Sequence, residues 1–134
     1  MARVKDLLCD EFQQTVGESL FRHKSVLDGL TKLQESAARV SRAVSKAVTT
    51  CGCVQLVARQ QRIPEGVALA DIGQYLESHL QGSLCEQCRE VIETEAGSTL
   101  FYLTALLDTM DLNLYDCVIK EHQRVSLLGR FHCL

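Results

Sequence analysis

Two close pairs of cysteines set the terms on which this chain can fold. Cys51-Gly-Cys53 and Cys85-Glu-Gln-Cys88 are separated by 31 residues, so their thiols meet only if the segment between them doubles back. Two thiolates one or two residues apart can bite one cation, and two such pairs complete the tetrahedral sulfur cage that Zn²⁺ takes in structural sites. Gly52 would let the tighter pair bend without a Cβ clash, and Arg89 would offset part of the negative charge of four thiolates. An iron–sulfur cluster accepts the same ligands, and sequence alone does not separate the two. A redox role for Cys85-x-x-Cys88 is disfavoured, because Glu86 opposes ionisation of its neighbour and no βαβ pattern surrounds the pair. Cys9, Cys117 and Cys133 stand alone.

The rest of the sequence bounds the fold class. A chain of 134 residues fits one domain, 1–134, whose core does not depend on a metal or disulfides for its existence. Lys and Arg total 14 against 17 Asp and Glu, a formal charge of −3, so no global basic field is available to hold a nucleic-acid backbone. Acidic residues interrupt the N-terminal stretch before a signal peptide can develop, and no run approaches the roughly 18 to 20 apolar residues of a membrane helix. We therefore expect a cytoplasmic protein with no membrane or nucleic-acid partner, in a reducing compartment where paired cysteines serve as ligands more often than as disulfides. No Gly-rich phosphate loop is present, and His23, His79, His122 and His132 show no metal-binding step to one another.

Apolar residues recur at three- and four-residue steps over 4–24, predicting a first helix. A second and longest helix is expected from about Ser25 to Val48, with Lys32, Glu35, Arg39, Arg42 and Lys46 on its polar face. Residues 54–63 alternate in part and suit a short extended arm. Pro64-Glu65-Gly66 breaks the chain, and Leu69, Ile72, Tyr75, Leu76 and Leu80 then predict a short helix ending near Gly82. Ser83 is placed to cap the next helix, which runs to Met110 and yields at Asp111-Leu112-Asn113 to a last helix over Leu114 to Leu127. The expectation is an all-α bundle of four to five helices, with 49–84 as an inserted Cys-rich segment. Its wide apolar faces suit a homo-oligomer, a dimer in the simplest case.

Acidic residues form a second candidate site. Glu86, Glu90 and Glu93 step by four and three along one helix, with Glu95 close by, and Glu35 of the second helix is the carboxylate best placed to join them around Mg²⁺. The stretch Glu93-Thr-Glu95-Ala-Gly-Ser98 and the apolar helix after it resemble the second half of the MazG-like all-α nucleoside triphosphate pyrophosphohydrolases. Leu33-Gln-Glu35-Ser36-Ala-Ala-Arg39 similarly resembles that family's first metal motif, Glu-Glu-x-x-Glu. The likeness covers about half of the chain.

That resemblance implies a MazG-like bundle in which carboxylates hold Mg²⁺ against a triphosphate and position water, releasing pyrophosphate. Glu35 and Glu95 match the motif carboxylates and are the candidate catalytic residues, whereas Ser36, Arg39 and Ser98 stand where the family has acids. The implied protein is a degenerate member that binds a nucleotide or a partner rather than hydrolysing, with Arg39, Arg42 and Lys46 available to phosphate oxygens. The alternatives are an active Mg²⁺-dependent pyrophosphohydrolase built on Glu35, Glu90, Glu93 and Glu95, and a helical adaptor that recognises another protein.

Overall fold

The computed structural model describes residues 2–129, with side chains from Leu7 onward, so His132 and Cys133 lie outside the described residues. The described chain is mostly helical. Helices α1 (Ala2–Ser19), α2 (Val26–Lys46), α3 (Glu86–Thr109) and α4 (Leu114–Leu128) carry most of it, and two short strands, β1 (Val54–Leu56) and β2 (Leu80–Gly82), lie between α2 and α3. It divides into two compact units, one from Met1–Val40 with Thr94–Leu134 and one from Ser41–Glu93.

In the first unit, α1 stops at Ser19 rather than running to 24. Ser19 turns its hydroxyl back to the Thr15 carbonyl at 2.7 Å, and Ser25 accepts the Leu27 amide N–H at 3.3 Å, which fixes the start of α2. Between these two hydroxyls the backbone leaves the helix, and Phe21 is exposed. Val16, Gly29, Ser36, Thr104, Ala105 and Leu106 are the buried residues of this unit among those described. A Cβ on Gly29 would lie 3.4 Å from Leu106 Cδ1, so glycine there lets α2 come close to α3.

Gln13 of α1 organises the turn from α3 to α4. Its amide donates to Asp108 Oδ1 at 3.1 Å and to the Leu112 carbonyl at 2.8 Å, while its oxygen accepts the Leu114 N–H at 2.7 Å. Asp111 takes the left-handed conformation at φ 57°, and Asn113 caps α4 by accepting the Asp116 N–H at 3.0 Å. The sequence-based break at 111–113 and the last helix are found where the spacing put them, with Gly129 at φ 55° closing α4.

The second unit departs from expectation. After Lys46 the helix widens into a π turn, Ala47–Cys51, closed by the Gly52 N–H to the Ala47 carbonyl at 2.9 Å. β1 and β2 then pair antiparallel, with Val54 opposite Gly82 and Leu56 opposite Leu80. The expected helix from Leu69 to Gly82 is therefore only a 3-10 segment, Leu69–Tyr75, followed by a strand. Pairing with β1 satisfies the backbone of Leu80–Gly82, and that tertiary bond outweighs the local apolar spacing. Ser83 is not the first-turn cap either, since α3 begins three residues later at Glu86. Beyond the strands the arm is held by Arg59, which grips Glu77 with two bonds of 2.8 and 2.6 Å, and by Gln61, which bonds both the N–H and the carbonyl of Glu77.

Candidate metal centre

The hairpin brings the two cysteine pairs together. The π turn and Gly52, at φ 78°, present Cys51 and Cys53 from one side; the run into α3 presents Cys85 and Cys88 from the other. All four Sγ atoms lie within 4.8 Å of one another. Cys51 Sγ and Cys85 Sγ are 3.8 Å apart, and a tetrahedron with metal–sulfur bonds of about 2.3 Å has an edge of about 3.8 Å. A disulfide would need about 2.05 Å. A polynuclear cluster hangs its thiolates on different irons and so holds them farther apart than the ligands of one ion. The spacing therefore suits a single tetrahedral cation.

Backbone groups support the sulfurs. Cys85 Sγ accepts the Cys88 N–H at 3.4 Å, so the first turn of α3 turns one of its unsatisfied amides toward a ligand, and Cys53 Sγ lies 3.8 Å from the Ala47 carbonyl. Gly82 is packed against the same place: a Cβ there would meet the Cys53 carbonyl oxygen at 2.7 Å. Sequence reasoning missed Gly82 as part of this site, because its need for glycine arises from strand pairing rather than from any motif.

Without metal the thiols are unequal. The Cys88 N–H, followed by the Cys88 thiol, draws the Cys85 pKa down to about 7, while the adjacent Cys85 sulfur and desolvation push Cys88 up to about 12. For Cys51, the Cys53 amide and the Cys88 thiol act downward, but Cys85, Cys53 and desolvation outweigh them, and the net direction is upward. In metal-free protein Cys85 should therefore react with iodoacetamide before Cys51 and Cys88. Its rate should rise as pH increases through about 7, where the thiolate forms, while Cys88 stays inert. Peptide mass spectrometry after a timed pulse at several pH values checks this; equal labelling of Cys85 and Cys88 at pH 7.5 would contradict it.

The acidic candidates are arranged differently. Among the described residues, the cysteine quartet is the group of three or more Cys, His, Asp or Glu gathered closely enough for one ion. Glu86, Glu90 and Glu93 are exposed on α3, and Glu95 is half-buried. Glu35 lies between two cations of its own helix, with Lys32 Nζ at 3.1 Å and an Arg39 guanidinium nitrogen at 3.2 Å. Lys32 first, then Arg39, holds its carboxyl below the usual range. The cavity that these residues line with Ser36, Ser98 and Tyr102 measures about 20 Å³, room for about one water molecule. Arg42 and Lys46, one turn apart on α2, are exposed.

Fold and site together define a helical protein with a close cluster of four cysteines. Compared with protein-family profiles, with curated proteins and with solved structures, the chain matches none. No helix among the described residues is long and apolar enough to cross a membrane.

Proposed function

We propose that this chain is a zinc-stapled helical binding protein of the cytoplasm, on a scaffold like that of the MazG-like family but without its hydrolytic site. The observation that carries the reading is the convergence of Cys51, Cys53, Cys85 and Cys88 to within 4.8 Å. Four thiolates complete the coordination of Zn²⁺ and leave no position for water or substrate, so the ion is structural. It clasps the root of the β1–β2 arm to the first turn of α3.

The absence of hydrolysis rests on Glu35. A carboxylate neutralised by Lys32 and Arg39 has little negative charge to offer Mg²⁺, and Arg39 puts a cation where the resemblance calls for a third acid. Because Arg39 is engaged with Glu35, Arg42 and Lys46 are left as the exposed cations of α2 for a nucleotide phosphate or an acidic partner.

Elemental analysis and a pyrophosphate-release assay test both halves. We expect close to one zinc per chain, and no turnover of nucleoside triphosphates with Mg²⁺ or Mn²⁺. Protein without metal after purification under reducing conditions and zinc reconstitution would end the staple reading. Turnover abolished by Glu95→Gln would replace the binding reading with the enzyme.

A further inference from the structure

Between Leu100 and Leu107 helix α3 is apolar on every side but that of Thr104, and only part of this stretch is covered. Ala105 is 3% exposed and marks the packed face. At 100° per residue, Ala96, Leu100, Leu103 and Leu107 fall on the opposite face, and Met110, in the turn just past the helix end, continues the row. Their steps are four, three, four and three, the spacing of a heptad seam. Leu100 is 54% exposed, Leu103 37% and Met110 45%, with Leu107 and Ala96 half-buried. A helix with hydrophobic residues on every side normally has a neighbour on every side.

We propose that a second copy of this chain covers this face, the two α3 helices meeting along the seam. Three features select a second copy as the occupant. The seam between Ala96 and Met110 carries no charge, so it offers nothing to a charged segment, while a stripe of Leu and Met at heptad spacing is its own complement about a two-fold axis. Its five side chains expose roughly 300 Å² of apolar surface, on the order of 70 to 100 Å² for each of Leu100, Leu103 and Met110 and less for Leu107 and Ala96. At the usual apolar share of an interface that corresponds to about 500 Å² for each partner, about 1,000 Å² for the pair, the size at which specific interfaces begin. Finally, among the described residues the first unit buries only five side chains besides Gly29, a small core for its size, which association would enlarge.

Sedimentation equilibrium of the full-length, zinc-loaded protein tests the pairing. The expected result is a dimer whose association constant falls at least about 100-fold in Leu103→Glu, because each two-fold contact is hit twice. Leu27→Glu, at a 75% exposed leucine of α2 that points away from Gly29, should leave the constant unchanged. Should Leu103→Glu lose helical circular dichroism, Leu103→Ala gives a milder reading, a loss of about tenfold. A wild-type monomer at 100 µM or so overturns the proposal and assigns the face to a different partner. Equal losses in the Leu27 and Leu103 variants overturn it as well. The result is independent of the zinc reading, since Cys88→Ser should still dimerise.

Discussion

Cys88→Ser should abolish the proposed zinc binding and open the second unit while leaving the first folded. The unit Ser41–Glu93 buries only three side chains, Ala43, Ala47 and Val54, among the described residues. Two alanines and a valine cannot offset the conformational entropy of ordering an arm of this length, so the proposed metal would supply what the core lacks. Loss of an outer-sphere support typically lowers metal affinity 10- to 100-fold, and loss of one thiolate of four should exceed this, at least about 100-fold. In hydrogen exchange, protection across 51–88 should vanish in the variant and in wild-type protein stripped by chelator. The amides of α1 and α4, tied by Gln13 and Asn113 to residues far in sequence, should keep theirs. Equal protection of 51–88 with and without metal would mean that the cysteines do not clasp the arm.

Gly82→Ala should be nearly as damaging, although it touches no ligand directly. Two costs add. Gly82 sits at φ 86°, where an L side chain is strained, and its new Cβ would press on the Cys53 carbonyl oxygen at 2.7 Å. Backbone cannot yield as a side chain tip can, so β1 and β2 must move apart, taking Cys53, next to β1, away from Cys85, which follows β2. The strain costs about 1 to 2 kcal/mol, and with the clash we expect about 2 to 4 kcal/mol in all, read as a lower zinc affinity in competition with a chromophoric chelator. Gly66→Ala is the control: its φ is 77°, but nothing lies within 4 Å of its Cβ position. It should pay the strain alone and bind zinc as wild type does. Matching zinc affinities for the two variants would show that the close approach of Gly82 to Cys53 is not what shapes the site.

The glycines show why part of the site was legible in the sequence and part was not. Gly52 lies between two cysteines, and its positive φ follows from the demand that neighbouring thiols face one ion. Gly82 has no such neighbour; its role exists only because β2 pairs with β1, and that register is set by partners 28 residues apart, Val54 and Gly82. The same limit applies to Leu80, which carries the helical spacing of Leu69, Ile72 and Leu76 yet joins a strand. A period read along a short window reports which face is apolar, not which backbone partner is on offer.

Charge tells a similar story. Sequence spacing put Glu35 and Arg39 on one side of α2, but spacing alone left Glu35 available as a metal ligand. In the folded chain it is engaged by Lys32 and Arg39, three and four residues away, so a local pairing takes up the carboxylate that the resemblance would assign to Mg²⁺. For α3, apolar positions were legible as a set, whereas their division into a packed face around Ala105 and an open seam through Leu103 was not. Which side of a helix is covered depends on neighbours that arrive from elsewhere in the chain.

By itself, then, the sequence determined the four main helices, the chain breaks at 64–66 and 111–113, and the two close cysteine pairs, because periodicity, capping and short-range spacing act over a few residues. Tertiary structure alone decided that the thiols converge, that Leu80–Gly82 is a strand, and that one face of α3 stays open, because each depends on surfaces brought together across long loops.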